Sequence, residues 1–298
     1  MGQAKVTACY RELGAELKKR REAAGVTLRG VADYAEWHYT KVSRIESGHF
    51  RASVVDVIFY LGACGIYRAQ ARDVLALCRE AERQQGYWRL SQNEDESLRS
   101  MVFHESTATR SVSYEPLLIP GLLQTPAYAR ARITQRANTP EEVEPLVRIR
   151  MERQAILHRR NPACFVYFVH EQALRLRVGS AEIMHEQLLN IVLMAALDHV
   201  TLRVVPADAG ERSLFGGPFM LMEFRNHGPL VYLDSVRSGF FLEDREYVRD
   251  YQLLLPELSA VALDEGQSRK FAADLADAYD RGSQKRHADI YQLEEEHL

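Results

Sequence analysis

The feature that most constrains the fold is a string of short amphipathic segments between Leu13 and Gly65, each with its own start or stop signal. LGAELKKRREAAG places Leu13, Leu17 and Ala24 on one helical face, and Gly25 supplies the left-handed residue on which helices end. Thr27 is placed to cap the next segment, TLRGVADYA, whose inward residues are Leu28, Val31 and Ala32. A turn through Glu36 and Trp37 leads into YTKVSRIES, with Val42 and Ile45 inward and Gly48 closing it. Ser53, three residues before Asp56, has the form of a capping box for SVVDVIFYLGACG, and a long amphipathic helix is predicted from about Arg68 to Gln85. Helices this short depend on packing against one another. They predict a compact all-α domain of five helices over residues 1–86.

Beyond Gly86 the texture changes, and a chain of 298 residues has room for a second domain. A helix is predicted across Glu94 to Thr107, ahead of two apolar stretches punctuated by Pro120 and Gly121. Thr139, Pro140, Glu141 and Glu142 read as the capped start of a helix reaching about His158, which Pro145 is expected to bend. CFVYFV, VTLRVVP, PFMLMEF and PLVYLDS read as strands, with a helix over about Ala181 to Leu197 among them. Two closing helices are predicted over about Asp244 to Val261 and Asp264 to Tyr279. The fold class is therefore an all-α N-terminal domain followed by a mixed α+β regulatory domain over 87–283, with a charged tail at 284–298 whose last residues are expected to fray.

Charge divides the chain in the same place. Residues 1–86 hold 14 Lys and Arg against 10 Asp and Glu, a net of +4, and the remainder holds 24 against 31, a net of −7. A basic head on an acidic body fits a nucleic-acid reader with a separate control domain. No apolar run approaches the roughly 18 residues that a membrane span needs, and the N-terminal segment has no signal-peptide pattern. The four cysteines, Cys9, Cys64, Cys78 and Cys164, form no C-x-x-C pair; they read as packing residues in a reducing cytoplasm. The body shows no G-x-S-x-G, P-loop, H-E-x-x-H or G-x-G-x-x-G pattern, so an enzyme is not expected, and no cofactor is implied. Glu182 and His185 have the spacing of a carboxylate metal site but lack the second copy such a site needs.

A helix-turn-helix reads DNA by laying its second helix in the major groove, which requires a tight turn, apolar anchors and polar residues at the start of that helix. Val31 and Ala32 before the turn and Val42 and Ile45 after it are the anchors; Tyr39, Thr40, Lys41, Ser43 and Arg44 point outward. The segment RREAAGVTLRGVADYAEWHYTKVSRIESG resembles the Xre family of phage-repressor-like regulators. The resemblance implies an internal ion pair between Arg21 and Glu46. It places the base-contacting positions on Tyr39, Thr40 and Arg44, and the phosphate-contacting ones on Thr27, Lys41, Ser43, His49 and Arg51. Three residues depart from the pattern: Leu28 replaces a frequent glutamine, Glu36 the usual turn glycine, and His38 the usual Ser cap. The turn is expected to carry strain of about 1 kcal/mol.

The body segments YEPLLIPGLLQTPAYARA, FVHEQALRLRVG, GPFMLMEF, PLVYLDS and FFLEDREYVRDYQLLLPEL resemble an actinobacterial domain of unknown function that follows Xre heads, as in the WhiJ-like regulators of Streptomyces. That resemblance implies a small partner protein and a homodimer on a double-stranded DNA operator. The alternatives are an antitoxin-like pairing with a small protein, and a small-molecule sensor whose pocket draws on Tyr167, His170, Glu171, Phe219 and Tyr232. Core packing is the default role of these aromatics.

Overall fold

The computed structural model describes residues 7–83, 94–135, 139–213, 215–234 and 239–295. Five helices come first: α1 (Ala8–Ala23), α2 (Leu28–Tyr34), α3 (Tyr39–Glu46), α4 (Val54–Ala63) and α5 (Arg72–Arg83), the last preceded by a 3-10 turn at Arg68–Ala71. After α6 (Glu94–Thr107) come β1 (Arg110–Glu115), α7 (Pro126–Thr134), α8 (Val143–Arg153), β2 (Cys164–His170), α9 (Glu171–Arg175), α10 (Ala181–Met194) and β3 (Val200–Val205). Strands β4 (Phe219–Glu223), β5 (Leu230–Asp234) and β6 (Gly239–Leu242) come next, and helices α11 (Arg245–Val261) and α12 (Glu265–Glu295) close the chain. The class is that read from the sequence, a helical head followed by an α+β region.

Backbone contacts divide the chain into two compact units, one of residues 1–105 with 228–249, the other of 106–227 with 250–298. The β5–β6 hairpin, which lies far along the body in sequence, therefore groups with the head. Within the first unit Leu13, Leu17, Val31, Ala32, Val42, Ile45, Val57 and Leu61 are buried, which brings the apolar faces of α1 to α4 together. Cys9, Cys64 and Cys78 join this interior, while Cys164, in the other unit, is exposed. Burial pushes the Cys78 thiol up to about 12, as befits a packing residue.

The second unit is built on strands in the order β3-β2-β1-β4, with β1, β2 and β3 parallel and β4 antiparallel to β1. Phe165, Tyr167, Val169, Leu202 and Val204 pack with Met184, Leu188 and Ile191 of α10 and Ala272 and Ala276 of α12 in one buried cluster.

Several local expectations are corrected. Thr139 makes no side-chain cap, and a 3-10 turn (Pro140–Glu142) precedes α8. Pro145 falls in the first turn of α8, where its missing N–H costs no intrahelical bond, so it has no cause to bend that helix. The proline that does lie inside a helix is Pro256 of α11. Strands β1 and β6 and helices α7 and α9 are additions to the elements expected from the sequence. In β1 the sequence RSVSYE buries Ser111 and Ser113 beside Val112 and Tyr114, which masks the apolar alternation. The closing helix runs on to Glu295, past the end expected at Tyr279, because this stretch consists mainly of good helix formers.

Candidate nucleic-acid interface

The candidate surface is assembled by caps on both sides of a tight turn. The Thr27 hydroxyl accepts from Gly30 N at 3.0 Å and starts α2. Trp37 N donates to Ala32 O at 2.8 Å and closes the turn. Glu36 lies in that turn at φ 56, the sole positive-φ residue other than glycine among the described residues. An L side chain there costs roughly 1 kcal/mol, and the turn glycine that the sequence lacks would have avoided it. His38 takes over the cap of α3: its Nδ1 accepts from Thr40 N at 3.4 Å and lies 2.8 Å from the Thr40 hydroxyl.

On α3 the two buried residues are Val42 and Ile45, so residues 39, 40, 43 and 44 share the opposite face. Tyr39, Thr40, Ser43 and Arg44 are all exposed. The Arg44 guanidinium donates to His49 O at 3.2 Å, tying the helix to the next loop, where His49 and Arg51 are also exposed. The helix end is fixed by Gly48, whose φ of +69 and absence of a Cβ are both needed. A Cβ there would stand 2.6 Å from Arg11 Cα of α1. Gly14 of α1 makes the matching approach, since a Cβ would lie 2.3 Å from Ile45 O. Two glycines thus let α1 and α3 meet backbone to backbone.

Arg21 and Glu46 meet in a two-pronged pair, Nε to Oε1 at 2.7 Å and Nη2 to Oε2 at 3.1 Å, with side chains 10% and 7% exposed. Arg21 also donates to Val26 O at 2.8 Å, and the Tyr60 hydroxyl donates to Glu46 Oε1. Sequence reasoning missed Tyr60, because it falls on the apolar face of α4 beside Val57 and Leu61. Burial first, and then Glu46, raise its hydroxyl far above the ordinary tyrosine range.

Lys41 is placed differently from the other outward residues. Its ammonium lies 2.6 Å from Asp56 Oδ1 and 3.9 Å from the centre of the Trp37 ring. Asp56 completes the capping box with Ser53, whose N–H and hydroxyl donate to Oδ2 at 2.9 and 2.8 Å. Burial alone would raise the Asp56 carboxyl; the hydrogen bonds from Lys41 and Ser53 outweigh it and hold the group below the usual carboxylate range. Lys41 therefore fastens α3 to α4 and brings little net charge to the surface.

The five residues considered for a small-molecule pocket stand on different elements. By strand register Ser113 of β1 stands between Tyr167 and Met220, and Tyr114 between Phe168 and Phe219; Tyr167 and Phe219 therefore lie on opposite faces of the sheet. His170 caps α9 by accepting from Gln172 N at 3.0 Å. Glu171 accepts from Ala207 N at 2.9 Å and pairs with Arg175 at 2.5 Å. Tyr232 belongs to the other unit, its ring 4.9 Å from that of Phe241. His185 lies 2.9 Å from Ala276 O, and among the described residues no group of His, Cys, Asp and Glu is gathered to hold a metal ion. None of the described helices is long and apolar enough to cross a membrane.

A compact helical head with a tight turn and a polar second helix defines a helix-turn-helix domain, and residues 12–80 match a family model of that description. Residues 98–274 match the model of a domain of unknown function, DUF5753; this match spans more than half of the chain, and the protein belongs to that family. Comparison with curated proteins gave no match.

Proposed function

We propose that the protein is a sequence-specific, DNA-binding transcriptional regulator of the Xre type in a WhiJ-like arrangement, and not an enzyme. The observation that carries this reading is the exposed polar face of α3, built over two buried anchors and held by caps at both ends. Tyr39, Thr40 and Arg44 read base edges in the major groove, where an arginine can engage guanine O6 and N7 together. Ser43, His49, Arg51 and the exposed rim at Thr27 meet the phosphate backbone. Lys41, paired with Asp56, acts chiefly as a brace.

The operator-bound form is a homodimer, paired through an apolar stripe beside the reading face. Val55, Ile58 and Phe59 on α4 are 60%, 54% and 48% exposed, and Tyr34 and Tyr67 are 57% and 61% exposed. Tyr34 lies over Gly62, and the Tyr67 hydroxyl approaches Gly62 O, so the two rings continue the stripe. Five half-exposed side chains of about 100 Å² each offer about 500 Å² per copy, below the roughly 800 Å² of a standing interface. Copies of this chain would then pair weakly in solution and firmly once one operator holds both. For the body, control through a small partner protein is the role the family resemblance favours, with a small-molecule effector as the alternative.

The test is binding to a duplex selected from random sequence. Arg44→Ala is expected to relax preference at one base position, at a cost of about 1–3 kcal/mol on the preferred site. Ile58→Glu is expected to leave single-site binding intact and abolish cooperative binding to paired half-sites. Equal binding of wild type and Arg44→Ala to selected and random duplexes rules out base reading by this helix.

A further inference from the structure

The first helix of the head is held by residues that lie outside the helix-turn-helix match. Thr7, at the N-cap of α1, makes no side-chain cap, and the first turn of α1 holds no acidic residue. Glu243, between β6 and α11, supplies the acceptor instead: its Oε2 takes the hydrogen bond of Ala8 N at 2.7 Å. A carboxylate at that end also complements the helix dipole. Arg11, one turn further on, is only 9% exposed. Burial brings its guanidinium down to about 10, against the opposing influence of Glu243.

Helix α6 reaches the same stretch of α1. The Ser100 hydroxyl donates to Glu12 at 2.7 Å, and His104 Nε2 stands 3.8 Å from the other Glu12 oxygen. His104 is fully buried, its ring 5.2 Å from that of Phe241 in β6. Ser100, His104, Phe241 and Glu243 all lie within the stretch matched by the family domain, 98–274.

The part of α1 gripped in this way is also the part that seats the recognition helix. Arg11 is the residue whose backbone meets Gly48 at the end of α3, and Gly14 meets Ile45 O. A shift of α1 is therefore felt at α3 without an intervening flexible side chain, and tightly packed backbones transmit strain.

We propose that residues 239–249 form a clasp through which the family domain sets the DNA affinity of the head, with Glu243 on the amino terminus of α1 as its latch. Glu243 is a positioning residue: it holds α1, and α1 holds α3. The chain leaves the clasp into residue 250, where the second unit resumes, so whatever the rest of the family domain engages has a covalent path to the latch. The proposal rests on base reading by α3.

The experiment uses the full chain and a duplex selected from random sequence, with affinity followed across several salt concentrations. Amide hydrogen exchange of residues 8–14 and 39–46 is measured in parallel without DNA. Glu243→Ala is expected to bind about tenfold more weakly, because a smaller fraction of molecules holds α3 in place. The salt slope should stay unchanged, since no phosphate contact is lost. Exchange should quicken in both segments, and Glu243→Gln, which keeps the acceptor, should recover most of the affinity. Ser100→Ala, a milder change at Glu12, should show the same pattern at about threefold and serves if Glu243→Ala does not fold. Affinity within twofold of wild type in both alanine variants, or faster exchange confined to residues 8–14, overturns the clasp. Failure of the wild type to prefer any duplex removes the DNA reading instead, while the exchange of residues 39–46 still decides whether Glu243 positions α3.

Discussion

At the start of α9, His170 caps the helix and Glu171 binds both Ala207 N and Arg175. At the start of α3, His38 does the same capping work, yet the next residues, Tyr39 and Thr40, with Ser43 and Arg44 one turn on, present their side chains to solvent. Two histidine-capped helices thus differ in the duties of the residues just beyond the cap. At α9 the polar groups beyond the cap bond to the protein's own backbone and to Arg175, whereas at α3 the packing against α1 and α4 is held chiefly by a separate set of buried contacts. Arg21, Glu46 and Tyr60 fix the frame, and Lys41 with Asp56 fastens α3 to α4, so the outer face is left for a ligand. The exposed face of α3 still makes local bonds, Arg44 to His49 O and Thr40 to His38, but its frame is carried by the buried set.

That contrast is most easily broken at the frame. Glu46→Ala should cost about 3–4 kcal/mol in urea unfolding of the head, because it strands the Arg21 guanidinium in a nearly closed site. A loss below 1 kcal/mol would mean that the pair is no more than a surface ion pair. Gly14→Ala should cost about 2–3 kcal/mol, since the new methyl meets a backbone carbonyl that cannot turn aside; thermal unfolding measures it.

The brace at Lys41 is tested by pH. The folded-state carboxyl of Asp56 is depressed, so its contribution is present in full above the unfolded pKa of about 3.9 and is lost as pH falls through the lower folded value. Acid unfolding of wild type should therefore show a loss of order 1 kcal/mol below about pH 4 that is reduced in Lys41→Met. The same variant should leave the salt slope of DNA binding nearly unchanged. A slope lower by about one would restore Lys41 to the phosphate contacts. The smallest effect is expected at the turn, where Glu36→Gly should stabilise the head by about 0.5 kcal/mol, the relief of the left-handed residue being partly offset by a more flexible unfolded chain.

Much of the head was legible because its signals are local. Thr27, Ser53 with Asp56, Gly25 and Gly48 each act within a few residues of where they stand, and so each can be read from neighbouring letters. The features that escaped depend on distance along the chain. Asp56 as the partner of Lys41, Tyr60 on the ion pair and Glu243 on α1 are joined only by folding, and no periodicity points to them. In the body, β1 was hidden by its buried serines and β6 by its length of four residues. The pocket candidates were grouped by residue type, and the pleat of the sheet separates Tyr167 from Phe219.

The central claim is that the face of α3 discriminates bases. Its most direct test is enrichment of duplexes from a random pool by the full-length wild type, and then competition between the enriched and a scrambled sequence at fixed salt. A preference of at least a thousandfold, which falls by about tenfold or more at one base pair when Arg44 is replaced by alanine, is the predicted result. A pool that never enriches, or an enriched sequence held equally by the Arg44→Ala protein at every position, contradicts the account.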